Sequence, residues 1–232
     1  MQIVFDIGFY LDKAPNAAYK SIGITSEKIN ECRVKYQMED FNGIFGNPSF
    51  GFKEDTFDFV NGFVNVKMVH FWDIAVSNLS GLYQSPEIEY LSVMGSKPGI
   101  DFSHFPNLKT VIVDWNKGDI HLNTCEKVER FHLWHYKPKE RSFQAFDFPK
   151  FARSVQFNWT NAEDLTTVSG LKGMVDLEIH QSRNLKSLKG LEQYADTLER
   201  IWVDSCGKLS DYSFILDFPK LNMALINRVK IK

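Results

Sequence analysis

Histidines, carboxylates and cysteines are the residues of this sequence whose chemistry could support a metal site or a nucleophile. His132 and His135 stand three residues apart in the stretch VERFHLWHY. That separation along a strand places the two side chains on opposite faces, and neither a cysteine nor a carboxylate completes a ligand set at suitable spacing. We therefore expect no metal and no cofactor.

The three cysteines, Cys32, Cys125 and Cys206, lie far apart, and none belongs to a C-x-x-C pair. They are too few for a disulfide framework, which favours reduced thiols. We expect Cys206 to pack in a turn rather than to act as a nucleophile. The sequence also has no glycine-rich phosphate loop and no nucleophile elbow, and therefore predicts a protein that is not an enzyme.

The composition bounds the class of protein and its partners. The 232 residues suffice for a sizeable core, and the formal net charge of -2 gives no basic excess of the kind that nucleic-acid or membrane partners require. The N-terminal stretch has no basic region and carries Asp6 inside its apolar run. No apolar run approaches the ~18 residues needed to span a bilayer. These features predict a cytoplasmic protein with no nucleic-acid and no membrane partner.

An internal repeat organises most of the chain. Three apolar residues, at positions 1, 4 and 6 of a frame, recur every 20 to 24 residues. The eight copies are Val66/Val69/Phe71, Ile88/Leu91/Val93, Leu108/Val111/Val113, Val128/Phe131/Leu133, Ala152/Val155/Phe157, Met174/Leu177/Ile179, Leu198/Ile201/Val203 and Leu221/Ala224/Ile226. One short strand per copy cannot bury its own apolar edge, so the copies must stack strand beside strand into a parallel sheet.

Position 9 of the frame is usually a small polar residue or cysteine, which we expect to point into the turn after the strand. The residues concerned are Ser96, Asn116, Thr160, Ser182 and Cys206. With NLKSLKGL and KLSDYSFI in its last two full copies, the pattern resembles the leucine-rich repeat over residues 66–227. The resemblance implies an α/β solenoid: an arc with a concave parallel sheet of about eight short strands and turns or 3₁₀ segments on its convex side.

Residues 1–65 do not fit the frame. We expect them to form a strand-rich N-terminal cap that shields the first repeat, with a separate ligand-binding domain as the alternative. Residues 66–232 are then one continuous solenoid. Its last strand runs into NRVKIK and stops, where Arg228, Lys230 and Lys232 would discourage strand addition at an open edge.

The resemblance also implies a binding face, because frame positions 3, 5 and 7 of leucine-rich repeats point outward from the concave sheet and position 8 lies at its lip. All five tryptophans of the chain fall at these positions. For Trp115 and Trp159, packing over the loop edge is an equal alternative. The predicted partner-binding residues are His70, Trp72, Tyr90, Met94, Asp114, Trp115, Arg130, His132, Trp134, Trp159, Asp176, Glu178, His180, Arg200, Trp202 and Asp204.

An aromatic-rich outward face favours protein binding without catalysis, because exposed apolar patches mark interaction sites. A small stand-alone chain of irregular repeats looks most like bacterial leucine-rich-repeat proteins, and an immunity protein that neutralises a toxin is one role that fits. Asp176, Glu178 and Asp204 would then receive a basic toxin domain. The alternatives are a scaffold or adaptor and, third, a nucleic-acid-binding module.

Overall fold

The computed structural model describes all 232 residues of the chain, which form thirteen short strands, one α-helix and eight 3₁₀ helices. The strands are β1 (Ile3–Asp6), β2 (Phe9–Asp12), β3 (Ser21–Gly23), β4 (Gly43–Gly46), β5 (Met68–Ala75), β6 (Tyr90–Ser96), β7 (Thr110–Asp114), β8 (Arg130–Trp134), β9 (Ser154–Asn158), β10 (Asp176–His180), β11 (Arg200–Asp204), β12 (Met223–Ile226) and β13 (Val229–Lys230). The helix α1 spans Ile29–Met38, and the 3₁₀ helices span Ser26–Lys28, Pro48–Phe50, Asp58–Gly62, Leu82–Gln84, Phe102–His104, Leu122–Thr124, Leu191–Tyr194 and Ser213–Asp217.

The chain forms two compact units, Met1–Val111 with Asn116–Ile120 and Ile112–Trp115 with His121–Lys232. In the first unit β1, β2 and β3 pair antiparallel, whereas β3 to β6 pair parallel in chain order. Parallel stacking therefore begins at β3, within residues 1–65. The role of those residues as a cap stays a prediction. The helix α1 packs in this unit, and no helix of the protein has both the length and the apolar character needed to cross a membrane.

The second unit contains the most regular repeats. Strands β8 to β12 pair parallel, each with the next, and Leu177 of β10 lies opposite Val155 of β9 and Ile201 of β11. Each of the eight copies of the frame coincides with one strand, β5 to β12. Within each unit the strands follow chain order in a mostly parallel sheet, with few helices and with 3₁₀ connections. This part of the predicted fold is confirmed.

The apolar positions of the frame form the core. All 24 residues at positions 1, 4 and 6 are buried, with an exposed fraction of 3% or less. Because the repeats stack in register, each position forms a row of apolar side chains that runs from strand to strand. Phenylalanines of the connecting segment between β8 and β9, including Phe143, Phe146 and Phe148, are buried against the core rings of Phe131 and Phe157.

Seven of the eight repeats carry a left-handed residue at position 8 of the frame, at or near the end of the strand. These residues are Asp73, Gly95, His135, Trp159, Gln181, Ser205 and Arg228. Left-handed backbone suits glycine and costs other residues roughly 1–2 kcal/mol, yet only Gly95 is a glycine. A turn at the same place in these seven repeats returns the chain to the back of the sheet and keeps the repeats in phase.

One of the position-9 residues departs from the prediction. Ser96 is exposed, because the pairing of β5 with β6 shifts register between Phe71 and Ile74. Lys97 turns inward instead, and its Nζ lies 3.0 Å from Asp119 Oδ1, with both side chains 1% exposed. This carboxylate oxygen also accepts the backbone N–H of Ile100, at 2.8 Å, so the buried pair is further stabilised by a backbone hydrogen bond.

The prediction of an open sheet edge after the last repeat is wrong. The segment that follows β12 folds back and pairs with it antiparallel as β13. The backbone N–H of Ile231 donates to Ala224 O at 2.8 Å, and Lys232 Nζ donates to the carbonyl oxygen of Leu216 at 2.9 Å. Lys230 thus belongs to a strand that pairs with β12, and Arg228 and Lys232 flank that strand.

We predict that Leu177→Ala lowers the free energy of unfolding by ~2–5 kcal/mol, because it removes buried methyl groups and leaves a cavity between two strands. Urea unfolding followed by circular dichroism measures this change. Leu216→Ala, at a leucine that is 41% exposed, is the control and should change stability by less than ~1 kcal/mol. Equal effects of the two substitutions would contradict the core assignment.

Candidate functional site

The outward face of the second unit consists of the side chains at positions 3, 5 and 7 of β8 to β12, together with Asp114. Most of them are half-buried and alternate with the buried side chains of the core. The α-helix lies in the first unit, so no α-helix of the second unit covers this face. The predicted partner-binding residues on its strands are Arg130, His132, Trp134, Asp176, Glu178, His180, Arg200, Trp202 and Asp204.

The parallel register arranges these residues in rows across the strands. The row at position 5 runs through His132, Gln156, Glu178 and Trp202, in that order. The row at position 7 places Trp134, Asn158, His180 and Asp204 on successive strands. Since neighbouring strands lie ~4.8 Å apart, residues separated by 20 or more positions in the chain become direct neighbours.

A network of charged side chains links β10 and β11. Arg200 Nη2 lies 2.5 Å from Asp176 Oδ2 and also donates to Glu178, while His180 Nε2 lies 3.1 Å from the second carboxylate oxygen of Glu178. The hydrogen bond from His180, with that from Arg200, lowers the pKa of Glu178 to about 2. Two of the three carboxylates predicted to attract a basic partner are therefore already engaged within the protein.

The third carboxylate, Asp204, has weaker internal partners. Its Oδ2 accepts the hydroxyl of Ser205 at 3.0 Å, and Arg228 Nε lies 3.7 Å from its Oδ1. The side chain of Arg228 is 87% exposed. Because an exposed ion pair of this length contributes little, Asp204 keeps more of its negative charge available than Asp176 or Glu178 does.

An aromatic edge, defined here as Trp134, His135 and Trp159, lies where β8 and β9 end. The ring centroids of Trp134 and Trp159 are 5.3 Å apart, and those of His135 and Trp159 are 5.5 Å apart. Asp114 Oδ1 lies 2.5 Å from His135 Nδ1 and orients the imidazole. The spacing predicts that His135 points to the opposite face from His132. Its left-handed backbone breaks the alternation of the strand and brings the ring against Trp159.

The other tryptophans of the second unit occupy different environments. Trp115 packs against Tyr136 and Phe146, with ring centroids 5.4 and 4.8 Å away, so it lies over the loop edge as the alternative interpretation held. Trp159 is 38% exposed. Trp202 contacts the ring of His180 edge-on at 5.2 Å and is half-buried.

The remaining predicted residues, His70, Trp72, Tyr90 and Met94, belong to the first unit. The ring of His70 lies tilted against Trp72, with centroids 4.9 Å apart, and contacts the ring of Tyr90 edge-on at 6.0 Å. Trp72 also packs against Phe45 and Phe50, which lie within residues 1–65, the predicted cap. Phe45 was missed because β4 carries glycine at position 6 of the frame, although FNGIFG has apolar residues at positions 1 and 4.

The cysteines offer no reactive thiol to this site. All three are buried and free. Burial raises the pKa of Cys206 to about 11, so its thiol stays protonated and non-nucleophilic near neutral pH.

Comparison with known proteins does not identify a function for this site. No protein-family model, no curated protein and no solved structure matches the chain. The function is therefore inferred from the geometry and the chemistry of the described residues.

Protonation of His132 should destabilise the protein in mild acid. Burial, reinforced by the charge of Arg130, lowers the pKa of His132 to about 4, below the ~6.5 of an unfolded histidine. The unfolded chain therefore binds the proton first, and stability falls as the pH drops from ~6.5 towards 4. We predict that His132→Gln removes on the order of 2 kcal/mol from the loss measured between pH 7.5 and 5.

Urea unfolding at several pH values measures this slope. His104→Gln, which replaces an exposed histidine of the first unit, is the matched control. An unchanged slope in the His132 variant would contradict the burial of this ring.

Proposed function

We propose that this protein is a non-catalytic protein-binding module and that the outward face of the second unit is its binding surface. The observation that carries the proposal is the set of aromatic side chains on that face and its rim, on a sheet that no α-helix of the unit covers. They are Trp134 and Trp202 on the face and Trp159 on the rim. Partly exposed tryptophans are the residues whose burial contributes most to protein interfaces.

The outward face alone is too small for a standard protein–protein interface. Five strands at ~4.8 Å spacing span about 19 Å, and their outward residues extend about 15 Å along each strand. This surface is smaller than the ~800 Å² that each partner contributes to a standard interface. Residues of the rim such as His135 and Trp159 must therefore take part in binding.

The organisation of the charged residues supports binding rather than catalysis. Arg200 and His180 both engage Glu178, which restricts three long side chains to one arrangement. Such pre-organisation lowers the entropic cost of forming an interface. The ionised groups of the face are also paired with one another, whereas a catalytic base or nucleophile would be directed at a substrate.

The finer assignments rest on the resemblance in sequence. We propose that the chain is a leucine-rich-repeat protein, and an immunity protein that neutralises a toxin is the specific role that we favour. A scaffold or adaptor is the alternative. The product of a neighbouring gene is the natural first partner to purify, and a toxin there would favour the first role.

We predict that Trp134→Ala and Trp202→Ala each weaken partner binding by ~2 kcal/mol or more, which is about 30-fold in Kd. The free energy of unfolding should change by less than ~1 kcal/mol. Calorimetric titration of the neighbouring gene product into each variant, with thermal melts in parallel, measures both effects.

Phe151→Ala is the matched control, since Phe151 is 39% exposed and lies outside the outward face. It should leave the affinity unchanged. Full affinity in both tryptophan variants, or an equal loss in the control, would contradict the assignment of the surface.

A further inference from the structure

The turn at position 8 of the frame uses left-handed backbone in most repeats, but it does not require an aromatic side chain. His135 and Trp159 adopt left-handed backbone, with φ of 56° and 51°. Gly95 occupies the equivalent position of another repeat, where no side chain is strained. In other repeats the same backbone is adopted by Asp73, Gln181, Ser205 and Arg228. The aromatic rings, rather than the backbone, therefore distinguish the aromatic edge.

We propose that the aromatic edge, together with Asp114, receives an arginine side chain of the partner protein. This inference rests on the proposed function, because it names the chemistry that the binding surface recognises. The guanidinium group would stack on the exposed part of Trp159 and lie in the negative potential of Asp114.

Charge complementarity supports a cationic occupant. The outward face of the second unit carries four carboxylates, of Asp114, Asp176, Glu178 and Asp204, against two guanidinium groups, of Arg130 and Arg200. His132 adds no charge at neutral pH, because burial holds its pKa near 4. Lys137 and Arg228 lie exposed at the rim and moderate this negative charge, so we expect the attraction to be modest.

The stacked rings favour arginine over lysine. Trp159 lies at 34° to Trp134 and at 29° to His135, so the edge consists of roughly aligned planar groups. A guanidinium is planar, weakly hydrated and stacks on aromatic faces, whereas an ammonium is a compact, strongly hydrated charge. Arginine therefore matches both the shape and the sign of this site.

The test uses the full chain and three blocked tripeptides, acetyl-Gly-X-Gly-amide, in which X is arginine, lysine or citrulline. Citrulline keeps the planar shape of arginine without its charge. Titration up to 100 mM is followed by NMR of the tryptophan indole N–H signals. We expect the arginine peptide to shift the Trp159 signal saturably and the other two to bind at least about threefold more weakly, the lower range of a cation–π contact.

Variants locate the interaction. Trp159→Leu should abolish the shift that the arginine peptide causes in the neighbouring Trp134 indole signal. Asp114→Asn should weaken arginine binding about threefold or more without affecting citrulline, and Phe151→Ala should change neither. Because the peptide comparison uses the unmodified chain, the proposal stays testable if a variant fails to fold.

No saturable shift with the arginine peptide, or equal binding of citrulline or lysine, would overturn the proposal. Such a result would leave the proposed function standing if Trp134→Ala and Trp202→Ala still weaken partner binding. If the arginine peptide does not bind and both tryptophan variants keep full affinity for the partner, the assignment of the binding surface itself is wrong.

Discussion

The fold depends on one constraint: a repeat with a single short strand cannot bury its own apolar edge. Each strand of the second unit therefore relies on its neighbours, and Leu177 is buried only because Val155 and Ile201 lie beside it in register. The parallel pairing, the 3₁₀ connections and the left-handed turn at position 8 all serve to bring the next strand back into that register.

The alternation of side chains along each strand buries one set in the core and places the other set on the outward face. Positions 4 and 6 of each strand point to the core, so positions 3, 5 and 7 must point away from it. Under the proposed function, stability and binding depend on different residues of the same five-residue strand. In β11, Ile201 and Val203 are buried in the core, while Arg200, Trp202 and Asp204 are half-buried on the outward face.

The sequence predicts the eight frame strands and their core, because periodic apolar residues report burial directly. It does not predict β4, where Gly46 replaces an apolar residue, or the return of the chain as β13, which depends on contacts with β12. The aromatic edge was predicted only in part: the tryptophans were found by their position, but the ring of His135 was misplaced because a left-handed backbone leaves no periodic signal. The pairing of Arg200 with two carboxylates likewise depends on neighbours that are more than 20 residues away in the chain.

The most direct test of the central constraint is the free energy of unfolding, measured in urea, after insertion of a single serine at two places. An insertion after Leu177 shifts the remainder of β10 by one residue and turns its core side chains outward, so we expect a loss of at least ~4 kcal/mol or no cooperative transition. An insertion after Gly207, in an exposed turn of the next repeat, should cost less than ~1 kcal/mol. Equal stability of the two proteins would contradict the account.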